Sequence, residues 1–108
     1  GVQWARTTVL VMTEFGRSAA FNGSGGTDHG TAGVAFLAGG AVAGGRVLAD
    51  WPGLGPAQLL DGRDLRPTLD LRSVLASVVQ RQFGLAHSEV SASVLPGATG
   101  LRQPLWHA

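Results

Sequence analysis

Ten of the chain's 17 glycines fall between Gly16 and Gly45, and no other feature constrains the fold as strongly. Glycine weakens helices and strands alike, because it has the most backbone freedom to lose on ordering. The span therefore reads as short extended pieces joined by tight turns. Asn22-Gly23 and Gly25-Gly26 mark places that need positive φ or a close backbone approach. Apolar runs interrupt the glycines, which argues for a packed loop region over a flexible linker.

The pieces on either side read as α/β. Thr8 to Met12 is a strand, and its continuous apolar run from Val9 predicts a central parallel strand covered on both faces. Gly33 to Leu37 predicts a second short buried strand, and Arg46 to Leu48 is a candidate third, edge strand. Trp51-Pro52-Gly53-Leu54 reads as a rigid turn whose tryptophan pins a loop to the core. Leu71, Val74, Leu75, Val78 and Val79 recur at helical spacing and predict one clear helix. Thr68 or Asp70 can cap its start, and Gly84 its end, with Leu85 folding back over the last turn. Arg81 sits where the helix dipole favours a cation. The tail from His87 has no period. Pro96-Gly97 and Thr99-Gly100 are turns, and Leu101, Leu105 and Trp106 are the residues that could tack it down.

Composition closes several routes. With 108 residues the chain is one domain at most. It has no cysteine, so disulfides and thiolate metal sites are excluded. All eight basic residues are arginine, spread without a patch, and the formal net charge is +1, which gives no nucleic-acid footprint. No apolar run is long enough to span a membrane. There is no G-x-S-x-G elbow. The absence of lysine removes a P-loop. The chain opens Gly-Val-Gln-Trp, close to a strand, and we read it as the C-terminal part of a larger protein.

The residues that could do chemistry gather just after the first strand. In open α/β sheets, sites form where loops leave the carboxyl ends of strands. Glu14 stands there as a candidate metal ligand, or as an ion-pair partner that closes the strand end with Arg17. Arg17 carries a planar fork suited to an anionic substrate group. Phe15, between them, is expected in the core. Asp28-His29 comes next, on the glycine loop. A carboxylate and an imidazole side by side can hold a divalent metal. Equally, Asp28 can form an Asx-type turn with nearby amides, leaving His29 simply exposed. His87, beyond the helix end, and His107, next to last, are poor candidates.

These motifs carry a resemblance. Val9 to Arg17, Asn22 to His29, Val34 to Gly45 and Trp51 to Leu54 together resemble a bacterial family catalogued as domain of unknown function 1501. The helix and the Pro96-Gly97 turn are similar as well. Members resemble the alkaline phosphatase and sulfatase superfamily, and most are exported. The resemblance implies an alkaline-phosphatase-like three-layer sandwich, of which this chain holds the C-terminal part, in a periplasmic or secreted setting. It also implies a partner in the missing N-terminal part of the same protein.

In that superfamily a strand ends in an Asp-His pair that ligates one metal, and a later histidine ligates a second. By position, Glu14 and Phe15 resemble the pair, and His29 the later histidine. Phe15 cannot ligate metal. That departure favours a non-catalytic protein, whereas Glu14, Arg17, Asp28 and His29 together favour what the resemblance implies, a metal-dependent hydrolase of phosphate or sulfate esters acting on a small anionic ester. Glu14, Asp28 and His29 would hold zinc, manganese or calcium, and Arg17 would hold the anion. The alternatives are a non-catalytic exported protein that uses the same loop for binding, and a loop that is purely structural.

Overall fold

The computed structural model describes all 108 residues. The chain is mixed helix and strand. In order, the elements are α1 (Val2–Ala5), β1 (Thr8–Val11), β2 (Gly16–Arg17), β3 (His29–Gly30), β4 (Phe36–Gly39), α2 (Leu71–Phe83) and α3 (His87–Glu89). The last runs into a π-helical turn over Val90–Val94. The strands form two separate two-stranded sheets, β1 with β4 and β2 with β3. The residues divide into two compact units, one of Gly1–Leu10, Leu37–Leu48 and Leu69–Ala108, the other of Val11–Phe36 and Ala49–Thr68.

The first unit is built on α2, whose ends are fixed by local chemistry. The Asp70 carboxylate accepts a hydrogen bond from the Arg72 backbone N–H at 2.9 Å, which satisfies one of the orphan donors of the first turn. At the far end Gly84 takes a left-handed conformation with φ 64°, and its N–H and that of Leu85 both reach the Gln80 carbonyl. Leu85 folds back onto the core formed by Ala76, Val90 and Ala98, with Val79 and Leu95 beside it.

The buried face of α2 differs from the expected stripe. Its deepest positions are Ser73 and Ala76, while Leu71, Val74, Leu75, Val78 and Val79 are only half-buried. Small side chains at 73 and 76 let the π-helical turn and the Ala98 turn approach closely. The Ser73 hydroxyl stays satisfied beside Thr99 Oγ1 at 3.3 Å.

The tail is held as its apolar residues suggest. The Ala43 N–H donates to Leu105 O at 2.9 Å, and the His107 N–H donates to Ala41 O at 3.0 Å. Leu105 is buried, Trp106 Nε1–H donates to Ser77 Oγ, and the Arg81 guanidinium lies 5.3 Å above the Trp106 ring. That placement combines the favoured cation at a helix C-terminus with a cation–π contact.

Several strand expectations are corrected. β1 is not a central strand covered on both faces. It pairs only with β4, and Val9 and Val11 are 42% and 57% exposed while Thr8 and Leu10 are half-buried. A strand with a single neighbour and one backed face alternates, whatever its composition. The second strand begins at Phe36, not Gly33, and Val34 and Phe36 are exposed. Arg46 to Leu48 forms no strand. Arg46 instead bonds the carbonyls of Ala43 and Pro104, and Val47 is exposed.

The Arg72 side chain bonds Asp70, with its backbone N–H adding to the effect, and holds the Asp70 carboxyl below its ordinary value of 3.8. A carboxylate with a lowered folded pKa stabilises the fold fully above the unfolded value and loses that contribution as pH falls below it. We therefore expect α2 to melt more easily as pH drops below 3.8. Asp70→Asn, which keeps an N-cap acceptor but no charge, should flatten this acid dependence in far-UV circular dichroism melts. Gly84→Ala should cost about 1 kcal/mol, because a Cβ strains the left-handed cap.

Candidate binding cleft

The second unit is organised by β2 and β3, which pair antiparallel with Gly16 opposite Gly30 and Arg17 opposite His29. Neither glycine can be larger. A Cβ on Gly16 would strike the backbone of Thr31 and Ala32, and one on Gly30 would stand 2.6 Å from the Arg17 carbonyl carbon. Two facing glycines thus let the two backbones close together. The ladder continues on either side, with the Arg17 N–H donating to Ala32 O and the Ser18 N–H to Asp28 O, both at 3.0 Å.

The loop between these strands is held from inside by Asn22. Its Oδ1 accepts from the N–H groups of Ser24 at 2.9 Å and Gly26 at 3.1 Å. Its Nδ2 donates to Asp28 Oδ1 at 3.0 Å. Gly25 supplies the positive φ, 78°, that the turn requires. The Asx turn is therefore present, but it belongs to Asn22, and Asp28 closes it. Arg17 clamps the same loop, with Nε donating to Thr27 Oγ1 at 2.9 Å and Nη2 to Thr27 O at 2.6 Å.

A second segment braces β3 from the other side. Arg63 donates to the His29 carbonyl at 3.1 Å and pairs with Asp64 at 2.6 Å. Asp64 in turn accepts from Thr31 Oγ1 at 3.0 Å, and the Ala19 N–H donates to Arg63 O at 2.9 Å. His29 and the residue after Gly30 are thus tied at backbone and side chain.

Consecutive side chains of an extended segment point to opposite faces. Asp28 therefore turns to Asn22, and His29 turns the other way. The His29 ring lies flat on Phe15, with centroids 4.3 Å apart and planes 11° from parallel. Phe15 is two residues before Arg17, the strand partner of His29, which is a diagonal pairing within reach of aromatic side chains. Phe15 is accordingly not in the core as expected, but 50% exposed. Glu14 is exposed and makes no ion pair with Arg17, whose guanidinium is taken up by Thr27. No group of three or more His, Asp or Glu side chains converges at one point.

The stacked pair instead lines a cleft of about 520 Å³, together with Thr13, Arg17, Ala32, Val34, Trp51, Leu54 and Leu65. It is a shallow, open concavity whose wall is mainly apolar with a few polar groups, the mix of side chains that small-molecule sites use. Arg17 is its one charged side chain, and no carboxylate faces it. Trp51 does not anchor a loop to the core. It is 65% exposed, in the cleft wall, with Leu54 also exposed beside it. Sequence reasoning missed both residues. The signal was Pro52-Gly53, a turn-forming pair flanked on both sides by a large apolar residue.

With this geometry in place, comparison with known proteins gives one match. A family model covers residues 2–95, under the description "Protein of unknown function (DUF1501)". The chain belongs to the DUF1501 family. No curated protein matches it, and no solved structure does. The glycine loop, the stacked pair and the Trp51 turn all lie inside the matched residues.

The close approach of β2 and β3 makes a direct prediction. Gly30→Ala should destabilise this unit by about 1–3 kcal/mol, the usual cost of forcing atoms into a packed site. Amide hydrogen exchange at Arg17 and Ser18 reads the ladder directly. It should accelerate in Gly30→Ala and stay unchanged in Gly23→Ala, where a Cβ meets only open space. Equal exchange in all three proteins would contradict the close approach.

Proposed function

We propose that this cleft binds a small anionic ester of the phosphate or sulfate class, and that its role within this segment is binding. One observation carries the reading: His29, held flat on Phe15, and Arg17 share an apolar cleft whose wall has no carboxylate. Arg17 uses one N–H each of Nε and Nη2 on Thr27, so the second N–H of Nη2 and both of Nη1 are left to meet an anion. A guanidinium already locked in place loses little freedom on binding, and its charge-assisted hydrogen bonds are stronger than neutral ones. The imidazole, fixed by its stack and by Arg63 on its backbone, can offer a ring N–H to a second oxygen. The apolar wall takes the organic part of the ester.

The residues of this segment do not by themselves fit a metal centre, because Asp28 and His29 face apart and no third ligand joins either. A metal-dependent hydrolase of the same esters is the second reading. It is favoured by the meeting of positions 15 and 29 ring to ring, since these are two of the three positions, with Glu14, that the superfamily resemblance equates with metal ligands. In that reading Glu14, Asp28 and His29 supply part of a zinc, manganese or calcium site, and residues outside this segment complete it. The alkaline-phosphatase-like sandwich and the exported setting belong to the same proposal.

Calorimetric titration of the full-length protein with phenyl phosphate and phenyl sulfate separates the two readings. We expect binding to persist after metal removal by chelation, and to weaken about ten-fold or more in Arg17→Gln, as expected for loss of a charged hydrogen bond. Absence of binding by either ester would overturn the proposal. Bound metal that is lost in His29→Ala, together with ester turnover that needs it, would replace it with the hydrolase.

A further inference from the structure

We infer that Trp51 is the specificity-determining residue of this cleft, and that the ligand carries a planar aromatic ring beside its anionic group. The inference rests on the binding role proposed above and adds the chemical class of the organic part. Large apolar side chains left in water are normally scattered singly. Here Trp51 and Leu54, 65% and 56% exposed, flank one turn and line one concavity. Two residues set the shape of the turn: Pro52 has a fixed φ, and Gly53 accepts a positive φ of 89° that other residues resist. Trp51 is therefore presented to the cleft by the backbone geometry of this turn.

The opposite requirement is met by Phe15. One face of its ring is already covered by His29, yet half of the residue remains exposed in the same cleft. An anion with a short aliphatic group would satisfy Arg17 but leave the indole in water. A flat ring would cover Trp51, gain the offset or edge-on contacts that aromatic pairs favour, and keep its anionic substituent near Arg17. A single arginine among apolar neighbours complements that pairing of a charge with a flat hydrophobic body. An aryl ester and a nucleoside monophosphate share this chemistry.

The test compares ligands that differ only in their organic part. Phenyl phosphate, methyl phosphate and adenosine monophosphate are titrated into the full-length protein, its Trp51→Ala variant and its Trp51→Phe variant. We expect phenyl phosphate to bind at least about ten-fold tighter than methyl phosphate, in line with aromatic stacking energies. Trp51→Ala should level the two affinities, and Trp51→Phe should restore most of the difference, which a variant that had merely lost its fold would not do. Adenosine monophosphate binding at the level of phenyl phosphate would identify the ring source as nucleotide, and weaker binding would identify it as aryl ester. Equal affinity for phenyl and methyl phosphate in the unsubstituted protein would overturn the inference and leave the anion site standing. No binding of any phosphate would overturn both. Phenol, titrated alongside as the ring without its anion, would overturn the anionic part of the inference if it bound as tightly as phenyl phosphate.

Discussion

The second unit depends on one steric condition: two backbones must pass so closely at Gly16 and Gly30 that neither position can carry a side chain. That contact sets the register of β2 on β3. The register places Arg17 opposite His29, and the alternation of an extended chain then decides where the neighbours go. His29 falls on the face that Phe15 can cover, and Asp28 on the face that Asn22 occupies. A slip of one residue would exchange those faces and dismantle the cleft wall. The Asn22 turn, the Thr27 clamp of Arg17 and the Arg63–Asp64 brace all act on this one ladder, so it is over-determined in spite of its shortness.

The first unit solves a different problem. One long helix, a few short helical turns and a two-stranded sheet bury little, and its core has Ala76, Val90 and Ala98 at its centre. Close packing there comes from backbone proximity more than from side-chain bulk. The helix is fixed at both ends by its own caps, and the irregular segments after it fold back over its small-residue face.

What the sequence discloses depends on the range of each effect. α2 was legible with both caps, because a carboxylate at the start and a glycine at the end act over a few residues. The need for turns and close approach between Gly16 and Gly45 was legible too, since glycine states its own conformational requirement. Strand burial was not. Whether Val9 and Val11 are covered depends on what lies across from them, and composition cannot report that. Phe15 and Trp51 were misplaced for the same reason: a large apolar side chain reads as core until its neighbours are known. Asp28 and His29 look like one chelating pair because they are adjacent, and adjacency in an extended segment is what sends two side chains apart. Thr27, Arg63 and Asp64 gave no signal, being ordinary polar residues whose partners are fixed only by tertiary structure.

The end of the chain has a consequence for how this family is cut into pieces. The matched span stops at residue 95, but the helix inside it is covered by residues from Ala98 to His107. Ala98 completes the small core against Ala76, Leu105 and His107 bond the Ala41–Ala43 backbone as an added strand would, and Trp106 closes over Ser77 and beneath Arg81. A boundary drawn at Leu95 would strip α2 of its roof and leave the Ala41–Ala43 edge open to pairing with another molecule. For this chain, the least patterned stretch of sequence is a load-sharing layer of the fold, and a natural unit of expression extends through it.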